Sequence, residues 1–288
     1  MLSFSELNKT WARALREHAT TQIQGDDGPY RPIGDRTLEF LDGLWKARKA
    51  PLPDLGAMIE EGKVVRFYSD PHFFHANILK LANRVEFRDV EEMDRVIWDN
   101  VERAVSESDM VVCLGDLALK NPLAVLRRMA SSFGNRHQVI PGNHDPKGAG
   151  PAAWAASGAV ASLAFSLPLG LLRTWAEADH GDLAELVDWK ELPRRVNLGC
   201  SHWPLPADRM PGPAWLCLHG HTHRRHAGPL WMNCSVEAIG YQPKTLREMM
   251  TPDLLDDLVR RQGGLSILQT ALDRMPGDAD CRTNSPGM

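Results

Sequence analysis

A layered α/β fold is predicted by three features of the sequence. From residue 64 onward the chain alternates short apolar runs with amphipathic stretches. The runs are rich in β-branched and aromatic residues, as buried strands are. Their β–α–β–α–β order implies helices layered on a sheet.

Taken in order, residues 1–63 read as a helical N-terminal extension. Ser3 and Glu6 have the spacing of a capping box, and Leu7, Trp11 and Leu15 line one face of the helix that follows. A Gly-, Asp- and Pro-rich loop is expected at 25–34, then a second amphipathic helix presenting Leu38, Leu41 and Trp45. Both stripes are expected to pack on the neighbouring domain. The main domain, 64–262, opens with the strand VVRFYS (64–69) and a helix at 89–105, with Asp89 and Glu92 at its start. Next come the strand MVVCLG (110–115), a helix at 121–133 and the strand RHQVIPG (136–142). Residues 146–195 are expected to form an excursion near the site. Three more strands follow at 196–201, 214–220 and 229–236, then helices at 245–250 and 252–262. Residues 263–288 are Pro-, Gly- and Ser-rich towards the end and read as a flexible tail.

Composition narrows the function. The 288 residues carry a net charge of −4, with 43% hydrophobic and 24% charged residues. That balance lacks the broad basic footprint of a duplex DNA or anionic-membrane binder, so long nucleic acid and membrane partners are not expected. The N-terminus has no long apolar run, and a cytoplasmic location is expected. Cys113, Cys200, Cys217, Cys234 and Cys281 show no C-x-x-C spacing and read as reduced, inert thiols.

The chemistry gathers at strand ends. Strand 64–69 runs into Asp70-Pro71-His72, and strand 110–115 ends on Gly115-Asp116. Strand 136–142 runs into Asn143-His144-Asp145, strand 196–201 into His202, and strand 214–220 into His221-Thr222-His223. In open α/β sheets ligands bind beyond the carboxyl ends of the strands, so these five exits should converge. If the first exit is extended, Asp70 and His72 point the same way and can grip one ion; Pro71 biases Asp70 away from the helical region. Gly115, Gly142 and Gly220 allow sharp turns. Carboxylate, imidazole and amide donors without thiolate suit divalent Mn, Fe, Zn or Ni. So many ligands suggest two ions, with Asp116 bridging them at about 3.5–4 Å separation.

The ordered set D-P-H, G-D, G-N-H-D, S-H and G-H-T-H over roughly residues 64–250 resembles the calcineurin-like metallophosphoesterase superfamily. The strings SDPHFFHANILKLANR (69–84) and NCSVEAIGYQPKTLREM (233–249) look like a compact prokaryotic and phage branch of it. The resemblance implies a β-sandwich of two mixed sheets flanked by helices, in place of a simple layered sheet. It also implies two divalent cations, with Mn²⁺ the expected ion. By the same resemblance Asp70, His72 and His223 hold the first ion, Asn143, His202 and His221 the second, and Asp116 bridges. A water activated between the ions attacks phosphorus, His144 protonates the leaving oxygen, and Asp145 orients His144.

His75, Asn77 and Arg84 follow the first motif and are substrate-binding candidates; His75 can instead be a supporting or helix-start residue. His219 reads as a core histidine, and His226, Arg224 and Arg225 as rim or solvated residues. Asp116 lacks the downstream Arg of the Ser/Thr protein phosphatases, which leaves a phosphodiester or small phosphomonoester as substrate. Two alternatives remain: a non-catalytic metal-binding scaffold on the same fold, and a nuclease acting on short nucleic-acid ends. Metal titration separates out the first and salt-dependent binding the second.

Overall fold

The computed structural model of the chain describes residues 2–18, 23–25, 28–30, 32–146, 149–225 and 231–274. Helix α1 (Phe4–His18) begins at the expected capping box: the Ser3 N–H donates to Glu6 Oε2 at 2.7 Å, and the Glu6 N–H donates to Ser3 Oγ at 3.3 Å. At the start of the stretch read as a loop, β1 (Ile23–Gly25), which begins before it, and β2 (Gly28–Tyr30), inside it, pair antiparallel. Helix α2 (Asp35–Ala47) buries Thr37, Phe40 and Leu44, not the expected stripe. Leu38 and Leu41 are half-buried and pack with Ile33 and Trp203. A short α3 (Leu55–Glu60) leads into the sheets.

Two four-stranded mixed sheets follow, as the resemblance implied. The first has the order β10-β3-β4-β5, from β3 (Val65–Tyr68), β4 (Met110–Cys113), β5 (His137–Val139) and β10 (Lys244–Thr245). The second has the order β6-β7-β8-β9, from β6 (Leu163–Pro168), β7 (Arg195–Cys200), β8 (Trp215–His219) and β9 (Trp231–Asn233). β10 and β6 pair antiparallel with β3 and β7; the other pairings are parallel. Strand periodicity divides the first sheet's side chains. Val65, Phe67, Val112 and Leu114 join the core shared with the second sheet, where Phe67 stacks on Phe165 at 6.2 Å. Tyr68, Val111, Cys113 and Val139 turn the other way. They meet α5 (Val90–Ala104) and α6 (Pro122–Phe133), beyond the short α4 (Ile78–Leu81). Burial on both faces explains why these strands read as continuous apolar runs.

The second sheet is closed by α1. Trp11 stacks on Trp215 with ring centroids 5.6 Å apart, and its indole N–H donates to the Cys200 carbonyl at 3.1 Å. A Cβ at Gly199 would overlap the Trp11 indole, so only glycine admits this approach.

Two expectations need correction. Residues 146–195 are not an excursion: β6 pairs along its whole length with β7, flanked by α7 (Pro151–Ala156), α8 (Leu169–Asp179) and α9 (Gly181–Ala184). The strand escaped notice because LAFSLP contains no β-branched residue and ends in proline. The tail also begins later than residue 263. After α10 (Leu246–Met249) and α11 (Pro252–Arg261), α12 (Ile267–Arg274) forms because Asp256 Oδ1 accepts from the N–H groups of Ile267 and Leu268 at 2.6 and 3.2 Å. Residues 275–288, with Cys281, lie outside the described residues, as do 226–230 with His226. No described helix is long and apolar enough to cross a membrane.

Candidate metal centre

The five strand exits meet at one edge of the sandwich. The loops after β3 and β4 run side by side: the N–H groups of Asp70, His72 and Phe73 donate to the carbonyls of Gly115, Asp116 and Leu117 at 2.9, 3.1 and 3.0 Å. Gly115 (φ 101°) has no room for a Cβ against Gly142 and His202, which lets the third and fourth exits close in. The first exit is not extended as expected. Asp70 and His72 have φ of 57° and 52°, and Asp116, His221 and His223 have 51°, 68° and 52°. Left-handed backbone is unfavourable for such residues and concentrates where surrounding structure imposes it, as at functional sites. Asp70 and His72 therefore converge through two left-handed turns around Pro71 rather than through strand periodicity.

Among the described residues, side chains from these exits form three groups, of which one, His72, Asp116 and His144, shares a residue with each of the other two. One ligand atom each from Asp70, His72 and His223 lie within 4.8 Å of one another, and the same holds for Asp116, His202 and His221. Asp116 Oδ2 stands 3.6 Å from His72 Nε2 and 3.4 Å from His202 Nε2, which joins the groups. Asn143 Oδ1 lies 3.3 Å from His202 Nε2, and His144 Nε2 lies 3.8 Å from Asp116 Oδ2. All seven expected ligands and the expected acid are thus brought together.

His72 tests whether this cluster fits a metal. Its side chain is 1% exposed, yet neither ring nitrogen has a hydrogen-bond partner among the described residues. A buried imidazole without partners is costly. Its Nε2 lies 3.6 Å from Asp116 and 3.9 Å from Asp70, too far for hydrogen bonds. Ligand atoms each about 2.0–2.2 Å from one cation sit about 3–4 Å apart, so the spacing suits a shared ion.

Neighbouring groups aim the donors. His202 Nδ1 bonds the Leu114 carbonyl at 2.7 Å, which leaves Nε2 facing Asp116. Asp70 Oδ2 accepts from Ser235 Oγ at 3.1 Å and from the His221 N–H at 2.9 Å. His223 Nδ1 lies 3.0 Å from Glu237 Oε1. Ser235 and Glu237 were not singled out from the sequence; two polar residues at the end of the apolar run 229–236 were the available signal.

The charges of the cluster are strongly perturbed. Burial lowers the pKa of His72 far below the usual histidine range and, with His202 nearby, that of His221 to about 3. Burial also raises Asp70. Burial works against ionisation of Asp116 and His202, but the pair win it back from each other. Asp116 is held well below the carboxylate range, and His202 is raised to about 9 with Asp70 also contributing. Such a cluster binds protons where cations compete for the same lone pairs.

Several candidates take other places than expected. Asp145 does not orient His144: its fully buried carboxylate accepts from the N–H groups of Leu117 and Gly142 at 2.9 and 2.8 Å, tying two exits together. Burial and nearby Asp116 raise its pKa to about 7. Arg84 does not face substrate. It is 0% exposed and donates to Glu237, Pro71 and Asp70 beneath the cluster. Asn77 is exposed at the start of α4. His75 is buried in the site, its ring centroid 5.4 Å from that of His72 and 6.2 Å from that of His144. His219 is a buried core residue beside Trp231, and Arg224 pairs with Glu86 on the surface.

Residues 64–266, well over half of the chain, match the sequence model of the calcineurin-like phosphoesterases. The chain belongs to this family. Calcineurin-like phosphoesterases hydrolyse phosphate esters with divalent metals, and all the candidate ligands lie inside the matched region. An uncharacterized protein of Methanocaldococcus jannaschii is 42% identical over 81 residues. The match takes in 28% of this chain and 46% of that protein, so this chain spans under half of the relative's length. A crystal structure of a protein of unknown function from Aquifex aeolicus has a TM-score of 0.42 and 21% identity, covering 65% of this chain and 97% of the other.

Proposed function

We propose that this calcineurin-like phosphoesterase hydrolyses a phosphodiester or small phosphomonoester at a centre of two divalent cations. Asp70, His72 and His223 hold the first ion, and Asn143, His202 and His221 hold the second, with Asp116 shared. The observation that carries the reading is the position of Asp116 Oδ2, 3.6 Å from His72 Nε2 in one group and 3.4 Å from His202 Nε2 in the other. The donor set, without thiolate, suits divalent Mn, Fe, Zn or Ni, and Mn²⁺ is the first ion to try. Bound there, the cations supply charge that polarises phosphoryl oxygens and lowers the pKa of water.

The remaining chemistry falls to the protein's own groups. His144 is half-buried, keeps access to solvent and has Nε2 next to the shared carboxylate. It donates a proton to the leaving oxygen, so departure does not produce a bare alkoxide. His75 flanks the His72–His144 pair, whose ring centroids lie 5.2 Å apart, and restricts the ring positions of both. The substrate is a small phosphorylated molecule, since a net charge of −4 gives no track for long nucleic acid. A reducing cytoplasm suits the four buried free thiols Cys113, Cys200, Cys217 and Cys234.

The test is hydrolysis of bis(p-nitrophenyl) phosphate and of the monoester by chelator-stripped protein, before and after Mn²⁺. Turnover restored by metal supports the reading, and the preferred ester separates diesterase from monoesterase. Folded protein that binds two ions and turns over neither ester points instead to the scaffold alternative.

A further inference from the structure

We propose that Glu237 is a positioning residue for the first ion: it fixes the tautomer of His223, and Arg84 locks it in place. This rests on the two-cation reading above. Glu237 Oε1 has two partners, His223 Nδ1 at 3.0 Å and Arg84 Nε at 2.7 Å, and its side chain is 0% exposed. A carboxylate can only accept, so His223 Nδ1 carries the proton and its Nε2 keeps the lone pair for a cation. Without that acceptor the neutral ring is free to protonate Nε2, which would cancel its use as a ligand.

Arg84 extends this control to the opposite side of the subsite. Its Nη1 donates to the Pro71 carbonyl at 2.9 Å and its Nη2 to the Asp70 carbonyl at 2.6 Å. One guanidinium therefore spans the loop that supplies Asp70 and His72 and the acid that aims His223. A planar fork with five donors suits this three-way arrangement, where a lysine ammonium would not. A buried ion pair is seldom kept for stability alone, because desolvation offsets its attraction. Its position directly beneath three ligand-capable residues supplies the reason for its presence here.

Two variants test the role. Glu237→Gln keeps the shape and removes the charge. The double variant Arg84→Met/Glu237→Leu replaces the whole pair with apolar groups, so no unpaired charge is left buried. Long-range ¹H–¹⁵N correlation on metal-free protein reads the tautomer of His223, and Mn²⁺ titration of stripped protein reads both ion affinities. Wild type should show His223 protonated at Nδ1. The double variant should show a mixture of tautomers, and first-ion affinity should fall about 10- to 100-fold while second-ion affinity holds. Glu237→Gln should fall between the two, and it carries the test alone if the double variant does not fold. Folded variants with the wild-type tautomer and both affinities unchanged would overturn the positioning role and leave the two-cation reading intact. Wild-type protein that takes up no divalent ion would overturn both.

Discussion

Asp116 accepts a 2.8 Å hydrogen bond at Oδ1 from the backbone N–H of His144. The carboxylate shared by the two ligand groups therefore also fixes the loop that carries the proposed acid. Asp116→Asn should disturb both functions. The amide has one acceptor oxygen. If it takes the His144 N–H, an NH₂ that cannot ligate faces the ions; if it faces the ions, the NH₂ is set against the His144 N–H. Metal stabilisation is worth several kcal/mol and each 1.4 kcal/mol or so is tenfold, so turnover should drop by about 10³-fold or more. Elemental analysis should show ion content below that of wild type. Full metal content together with full turnover would remove Asp116 from the shared position.

His144→Ala isolates the proton-transfer role. The ions should stay, because the seven proposed ligands are untouched. Turnover should fall about 10²- to 10⁴-fold with an alkyl ester, whose leaving oxygen needs a proton. The loss should be much smaller with p-nitrophenyl esters, whose phenolate departs unaided. An equal loss with both leaving groups would mean that His144 acts on something other than the departing oxygen.

The sequence made the candidate ligands legible and left their supports hidden, for physical reasons. Asp70, Asp116 and His202 each follow an apolar run, so local pattern and position were enough to place them. Arg84 could not be read that way. Its partner Glu237 lies 153 residues away, and nothing local separates a buried arginine from one facing substrate. Asp145 was paired with His144 alongside the resemblance; neighbouring side chains diverge, and its carboxylate turned to the Leu117 and Gly142 N–H groups. The sandwich itself came from the resemblance, since β6 lacks the β-branched signature and α12 owes its start to Asp256, a residue on another helix.

Arg84→Ala distinguishes the buried strut from the expected substrate contact. Removing one partner strands the Glu237 charge in the interior, which typically costs about 3–5 kcal/mol. Urea unfolding should show a clearly lower midpoint. A variant of wild-type stability with a raised KM alone would restore Arg84 to the substrate site.

Gly199→Ala tests the seat of α1 on the second sheet. The new methyl would overlap the Trp11 indole that stacks on Trp215. Overpacking of this kind costs about 1–3 kcal/mol, read as a lower unfolding midpoint and altered tryptophan fluorescence. Unchanged stability and emission would mean that α1 can shift away without loss, and that the Trp11–Trp215 stack contributes little.

Asp94 gives a pH dependence away from the metal ligands. Its Oδ2 accepts the Phe74 N–H at 3.0 Å, and Oδ1 is buried with no hydrogen-bond partner among the described residues. Burial, with Glu91 adding to it, raises the pKa from 3.8 to about 6, against the opposing Phe74 bond. The folded protein therefore binds more protons than the unfolded chain between pH 3.8 and about 6, and stability contributed by this group falls as pH rises through that window. Above pH 6 the penalty for the buried charge is complete. Asp94→Asn removes the titration while its amide oxygen can still accept from Phe74. The variant should be more stable than wild type at pH 7, and the advantage should vanish near pH 4. Urea unfolding at the two pH values decides it: an equal difference at both, or an advantage only in acid, would show that Asp94 ionises in the folded state without cost.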